Sequence, residues 1–455
     1  MIFEMRIYNG DILDNCRKAH RKFRITNSAF RIKKGSCNMN LQSVGNIKFV
    51  EGGVCAAKGF RANGIQCGLA HAGAHVTKKK NDLALIAADT ECTAAAVYTT
   101  NKVKGAPILV TKEHLKNGKA KAVIVNSVNA NTCNADGVEK ASKMCELAAA
   151  ELGISPEDVI VASTGVIGQI LPIEPIANGM KELAEGLTYD GNPRAVEAIM
   201  TTDTMPKEVA VQFELDGKIC TMGGMLKGSG MIHPNMATTL TFITTDAGIS
   251  PELLQRALSD IVKVTLNRAS VDGDTSTNDM VCVLASGAAG NKVISHEDAD
   301  FEAFENALYA IMMNLARMMA RDGEGATKLI ECAVGGADSE KTAETVAKSV
   351  ICSSLFKAAM FGEDANWGRI LCAVGYADAE FDINKVDVKI ASAKGSIDVC
   401  KNGAGVEFSE EKAKEILGEE EIQILIRIGD GGFSAIAWGC DLTYDYVKIN
   451  GDYRS

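Results

Sequence analysis

The sequence predicts an α+β fold in which strands and long helices are mixed without regular alternation. Three observations carry this. Short apolar runs rich in β-branched residues recur, as in AVIVN, DVIVAS and TTLTFITT. A hairpin pattern joins neighbouring strands in KEVAVQFELDGKICTMGGM. Helical periodicity runs through two long stretches, about 135–152 and 301–321. A doubly wound parallel sheet would need strand, helix and strand to follow in strict order, and here they do not.

The 455 residues suffice for two or three domains, and 46% hydrophobic residues with a mean hydropathy of +0.03 fit a globular chain with a large core. Nothing reads as a membrane span. A net charge of -10 and a pI of about 5.3 argue against nucleic-acid binding. Residues 1–48 differ from the rest, with ten Lys or Arg against three Asp or Glu. Residues 1–46 are read as a basic extension, disordered or not native to the fold, and dispensable for chemistry. A transit peptide, a disordered tail and translation from an upstream start, with Met39 the true one, all remain open.

The fourteen cysteines are scattered from Cys16 to Cys440 without a CxxC pair, which argues for reduced thiols and a cytoplasmic setting. His71 and His75 stand four apart among glycines, as in a loop, so no metal site is expected.

From Ile47 the elements can be taken in order. FVEGGVCAAKGFRANG and NDLALIAADTECTAAAVYTTN carry short apolar runs fit for buried strands, and AVIVNSVNAN is a strand ending in a polar turn. A helix from Ala135 to Leu152 is stopped by Gly153. The strand DVIVAS then breaks at Ser163, Thr164 and Gly165, leaving a hydroxyl and a backbone N–H side by side, the equipment of an oxyanion hole. Helices follow near Ile173–Glu185 and Pro193–Met200, then the hairpin about Asp216 and Gly217.

Next comes KGSGMIHPNMATTLTFITT, from Lys227 to Thr245. Glycines and Pro234 describe a tight irregular backbone that runs into a β-branched strand, with Ala237 and Thr238 at the seam. A threonine hydroxyl held against the preceding carbonyl can attack it, and hydrolysis of the resulting ester frees the threonine α-amine. With a pKa near 8, that amine can serve as base for its own hydroxyl. Lys227 can neutralise a substrate carboxylate.

After the seam, Ser250 caps an amphipathic helix. The turn VDGDTSTND is read as structural and near the active site, since Asp272, Asp274 and Asp279 lack calcium-loop spacing. A long methionine-rich helix leads to Glu324, flanked by Gly323 and Gly325, which let the backbone approach a ligand closely. A hairpin in VDVKIASAKGSIDVC, a helix over Ser409–Leu417 and two strands about Gly431 and Gly432 complete the chain.

GSGMIHPNMAT closely resembles the self-cleavage motif of the ornithine acetyltransferases, also called glutamate N-acetyltransferases, and the resemblance extends from Ile47 to Ser455. It implies a layered α-β-β-α arrangement, cleaved between Ala237 and Thr238 into interlocked chains of 47–237 and 238–455 that pair as an α2β2 heterotetramer. It implies an acetyl group carried from N-acetylornithine to glutamate on Thr238, with Thr164 and Gly165 as the oxyanion pair. Thr201, Lys227, Thr238, Glu324, Asn450 and Ser455 fall on its substrate-binding positions, with Thr202 an equal neighbour of Thr201. Serine replaces threonine at 455, and Val128 stands where the family carries glycine. No cofactor is implied; whether acetyl-coenzyme A also serves as donor, making the enzyme bifunctional, is left open. The rival readings are a related threonine-nucleophile aminopeptidase, which would release acyl groups to water, and a binding protein that never cleaves.

Overall fold

A computed structural model describes residues 25–34, 37–69, 80–233 and 239–452. They form a mixed α/β fold divided into two compact units. The larger holds 26–267, 274–319 and the chain from 450; the smaller holds 268–273 and 320–449.

The larger unit is built on nine strands. In sheet order they are β3 (Lys48–Val50), β8 (Lys207–Leu215), β9 (Lys218–Lys227), β10 (Leu240–Thr245), β11 (Met280–Ala285), β5 (Leu83–Tyr98), β6 (Lys119–Asn126) and β7 (Val159–Ser163), with β4 (Phe60–Ile65) paired to the first half of β5. The sequence suggests several short runs across 81–101. They form one strand of 16 residues.

Straight, such a strand would hold its ends about 50 Å apart. Leu83 at one end lies opposite Asn126, which pairs with Ser163; Tyr98 at the other lies opposite Met280. Yet Asn278, two residues before Met280, places its Nδ2 2.9 Å from the Ser163 carbonyl oxygen. So β5 bends back, and its pairing with β6 loses register between Ala87 and Cys92.

The bend folds the sheet onto itself. Ala84, Ile86, Cys92, Ala94 and Ala96 of β5 share one core with Phe60, Val123 and Ile160 from one half and Met225, Phe242 and Cys282 from the other. Outside the first half, Leu83, Leu85, Ile124 and Val161 are covered by α2 (Gly137–Leu152) and α3 (Ile173–Glu185), through Ala141, Met144, Ile176 and Met180. Outside the second half lies α6 (Ala299–Arg321): a β-carbon on Gly224 would sit 3.0 Å from Ile311. Phe213 meets Phe304 edge-on at 6.3 Å. The remaining helices of this unit are α1 (Ala106–His114), α4 (Asn192–Ile199) and α5 (Pro251–Val264).

Local signals explain the boundaries. Gly153 ends α2 at φ 64°, a left-handed position that costs glycine nothing. Ser250 accepts the Leu253 N–H at 3.4 Å to open α5. Asp216 and Gly217, at φ 50° and 68°, make the two-residue turn that matches strand twist between β8 and β9. The seam falls between β9 and β10, which are antiparallel neighbours with Lys227 opposite Leu240. Segments before and after it therefore interleave in one sheet.

Part of the basic extension is folded. β1 (Ile25–Lys34) and β2 (Cys37–Val44) form a two-stranded sheet, and Met39, Leu41 and Val44 are buried. The Asn314 side chain exchanges two hydrogen bonds with the Gln42 backbone, at 2.9 and 2.8 Å, and Arg317 donates to the Asn40 carbonyl at 2.8 Å. Composition marked this stretch as basic; it could not show that alternate residues of NMNLQSV find a helix to pack on.

In the smaller unit the strand order is β15 (Ala404–Gly405), β14 (Gly395–Lys401), β13 (Asp387–Ser392), β16 (Glu421–Arg427), β12 (Leu329–Ala337), β17 (Phe433–Cys440). Helices α7 (Glu340–Cys352), α8 (Ser354–Phe361), α9 (Trp367–Gly375) and α10 (Glu410–Leu417) build one core with it, and α11 (Tyr444–Asp452) follows β17. Cysteines among the described residues are free thiols, and burial pushes those of Cys92, Cys145 and Cys220 up to about 12, which suits inert core filling. No described helix is long and apolar enough to cross a membrane.

Deleting residues 1–44 should lower unfolding stability by at least about 3 kcal/mol, since three buried apolar side chains are each worth about 1.5–3. The urea midpoint of the truncated chain against that of the full chain checks this.

Candidate active site

The residues singled out in the sequence fall into three groups, and Thr164 with Gly165, expected as an oxyanion pair, is the most fully defined. β7 is an edge strand. Its even-numbered groups face β6 and continue the ladder past its end: Thr164 N–H donates to Asn126 O at 3.0 Å and Val166 N–H to Val128 O at 2.9 Å. Odd-numbered groups face the open edge. There the Val161 N–H and carbonyl are both taken by the Thr111 hydroxyl, at 3.0 and 2.8 Å, and the Ser163 carbonyl accepts from Asn278. Gly165 is next, half-buried at φ 132°, and among the described residues its N–H meets no acceptor. A β-carbon there would sit 2.0 Å from the Val128 carbonyl carbon, so glycine is required. Val128 itself sits at φ 81°, a conformation that valine resists.

The second group surrounds Asp203. This buried carboxylate accepts the Thr201 N–H at 3.0 Å, the Gly228 N–H at 2.8 Å and Lys207 Nζ at 2.6 Å. It thereby joins the loop carrying Thr201 to the residue after Lys227. Burial opposes its charge, but Lys207 and then Lys227 outweigh that and hold the carboxyl well below its ordinary range. Thr202 spends its hydroxyl on Ser229 at 2.8 Å, whereas among the described residues Thr201 Oγ1 makes no hydrogen bond. That geometry favours Thr201 over Thr202 as the group with a hydroxyl to offer. Lys227 likewise forms no ion pair among the described residues. Lys80, whose Nζ donates to the Met200 carbonyl, is held below the usual lysine range by burial.

The third group frames the seam. Ala237 and Thr238 lie outside the described residues, but both flanks are anchored by the polar turn before β11. Thr275 Oγ1 donates to the His233 carbonyl at 2.9 Å upstream, and Met280 N–H donates to the Thr239 carbonyl at 2.8 Å downstream. Between them is Asp279, fully buried, approached by the Ser276 and Thr99 side chains and with Oδ2 lacking any partner among the described residues. Burial keeps its proton on well above the ordinary carboxylate range. The turn is structural and flanks the seam, as its sequence suggests.

Glu324 is buried in the smaller unit, and its flanking glycines lie close against other parts of the chain: β-carbons would meet Cys440 Sγ at 2.8 Å from Gly323 and the Tyr446 nitrogen at 2.6 Å from Gly325. Asn450 is exposed near the end of α11. Ser455, His71 and His75 lie outside the described residues. Among those described, no cluster of three His, Cys, Asp or Glu could hold a metal. Asp203 and Asn278 were missed in the sequence. The Asp-x-x-x-Lys spacing of Asp203 and Lys207 was a weak signal, and Asn278 offered none.

Comparison with known proteins gives this arrangement a class. The chain is 50% identical over 397 residues to arginine biosynthesis bifunctional protein ArgJ 1 of Clostridium acetobutylicum, covering 87% of this chain and 96% of that one. It is 48% identical over 410 residues to ArgJ of Caldanaerobacter subterraneus, covering 90% and 100%. A crystal structure of ornithine acetyltransferase complexed with ornithine, from Mycobacterium tuberculosis, is 37% identical, covers 42% of this chain and 100% of that one, and gives a TM-score of 0.38. The protein is a transferase of arginine biosynthesis, of the glutamate N-acetyltransferase class. The ArgJ family profile matches residues 66–455, and the chain belongs to that family.

The two buried carboxylates should leave opposite marks on stability. Asp203, with its folded pKa depressed, contributes fully above pH about 4 and loses that contribution only as pH falls through the folded value. Asp203→Asn should therefore cost about 3–5 kcal/mol at pH 7, because Lys207 stays buried without its partner. Asp279, with its folded pKa raised, makes the wild type lose stability as pH rises from about 4 toward the folded value. Relative to Asp279→Asn the loss should approach about 1.4 kcal/mol per pH unit in that window. Chemical denaturation from about pH 2 to 8 measures both.

Proposed function

We propose that the chain is a self-processing acetyltransferase that carries the acetyl group of N-acetylornithine to glutamate on Thr238. The observation that supports the reading is the Gly165 N–H beside Thr164, which meets no acceptor among the described residues, on a sheet edge tied by one turn to both flanks of the seam. In processing, Thr238 Oγ attacks the Ala237 carbonyl carbon as the peptide C–N bond breaks. Water then cleaves the ester, leaving a carboxylate on Ala237 and an α-amine on Thr238.

In turnover the amine takes the hydroxyl proton as Oγ attacks the acetyl carbonyl, and the Thr164 hydroxyl and Gly165 N–H receive the oxyanion. Collapse expels ornithine, its nitrogen regaining the proton, and leaves an acetyl ester on Thr238. The α-amine of glutamate attacks that ester, its proton passes through the Thr238 α-amine to Thr238 Oγ as the ester C–O bond breaks, and N-acetylglutamate departs. Thr201, Lys227, Glu324, Asn450 and Ser455 hold the substrates, with Lys227 facing a carboxylate and Glu324 an ammonium. The acetyl group travels on the enzyme, so no cofactor is needed, and acetyl-coenzyme A serves as a second donor in the bifunctional form. The reading includes a layered α-β-β-α body, two interlocked chains assembled as α2β2, and a cytoplasmic setting.

Thr238→Ala should run as a single band on a denaturing gel and show no turnover, where the wild type gives two bands. Thr164→Ala should be processed but lose roughly a hundredfold in kcat, the effect of one oxyanion donor. A mature wild-type protein that is intact at 237–238, or that carries acetyl on another side chain, would refute the scheme.

A further inference from the structure

The oxyanion pair and the strand after the seam must keep a fixed separation. In the sheet they are held by strands far apart in order, since β11, β5 and β6 lie between β10 and β7. Backbone pairing alone would transmit every fluctuation of the bent β5 into that separation. One side chain bypasses it.

Asn278 is buried and uses its whole amide. Nδ2 donates to the Ser163 carbonyl at 2.9 Å and to the Ala130 carbonyl at 2.5 Å; Oδ1 accepts the Thr132 and Thr277 hydroxyls, each at 2.6 Å. Two carbonyls on one side and two hydroxyls on the other fix which end is nitrogen. Ser163 immediately precedes Thr164, and Ala130 N–H is bonded to Val166 O at 2.9 Å, so the amide grips both backbone segments that shape the Gly165 turn. Its own backbone is fixed too. Two residues on, Met280 N–H holds the Thr239 carbonyl, and Thr277 O accepts the Gly105 N–H at 3.0 Å. Gly105 has no side chain because a β-carbon there would sit 2.5 Å from Asn278 Nδ2.

We propose that Asn278 is the positioning residue of the acyl-transfer site, setting the Thr164 and Gly165 donors in register with the strand that follows the seam. The inference rests on the oxyanion reading above. It predicts a residue that touches no substrate yet acts on kcat, because displacing oxyanion donors by about 1 Å weakens them only where charge develops.

The test uses processed, full-length enzyme. Asn278→Ala should lower kcat about 10- to 100-fold with KM within twofold of wild type. Combined with Thr164→Ala it should add far less than its single effect, because both act through one oxyanion site; with Thr201→Val the effects should multiply. Asn278→Asp adds a pH readout. Protonated, its carboxyl offers one donor to the Ser163 carbonyl, and ionised it offers none, so its kcat relative to wild type should fall as pH rises. If Asn278→Ala does not fold, Thr132→Val keeps the amide, removes one hydroxyl that orients it, and should lower kcat about 3- to 10-fold.

Wild-type kcat in a folded Asn278→Ala, or in Thr132→Val, overturns the proposal, as does full multiplicativity with Thr164→Ala. Failure of the underlying reading looks different: Thr164→Ala itself would then leave kcat unchanged.

Discussion

The active-site geometry depends on the bend in β5. Strand pairing fixes neighbours only, and nine strands laid flat would carry the Thr164 edge far from the strand that follows the seam. By folding over where its pairing loses register, β5 turns the two halves of the sheet face to face and closes Phe242, Phe60, Ile160 and Cys282 into one core. The burial that stabilises the unit therefore also sets the separation of its reactive groups. Those two requirements are met by the same apolar contacts, so a change that loosens the core would be felt as lost alignment before it is felt as unfolding.

What the bend brings together, polar side chains then fix. The turn before β11 holds His233 through Thr275, Thr239 through Met280 and Ser163 through Asn278. Asp203 does the same for Thr201 and Gly228. Asn278 and Asp203 are buried groups that combine near partners, such as Thr277 and Lys207, with ones far along the chain, such as Ser163 and Gly228, so leaving them half satisfied would be costly. Asp279 is the exception. One of its oxygens lacks a partner among the described residues, and burial makes the group keep its proton rather than carry charge.

Local chemistry was legible in the sequence. The turn at Asp216 and Gly217, the cap at Ser250, the stop at Gly153 and the helix over Ile173–Glu185 all follow from residues within a few positions of one another. The strand break at Ser163 to Gly165 was legible for the same reason. Non-local partners were not. Nothing near Asn278 announces Ser163, 115 positions away, and nothing near Gly323 and Gly325 announces Cys440 and Tyr446. Glycines that let another segment pass close by carry no local sign of which segment that is. The β2 segment was discounted for a similar reason: its charge belongs to the residues before it, while its buried side chains match a helix some 270 positions on.

Val128 shows why one departure from local rules persists. Alternation along an edge strand sends the N–H groups of Thr164 and Val166 to the carbonyls of Asn126 and Val128, and turns that of Gly165 outward. The Val128 carbonyl is held in line for the Val166 N–H and so close to Gly165 that a β-carbon there would sit 2.0 Å from its carbon, and Val128 adopts φ 81° in this tight packing. Glycine would adopt that φ freely; valine holds it at a cost of about 1–3 kcal/mol. The hydrogen bonds of Asn126, Asn129 and Ala130 on either side offset that cost. The strain thus accompanies a backbone donor that meets no acceptor among the described residues and is aimed out of the sheet, and it sits beside the Gly165 turn because that donor is there.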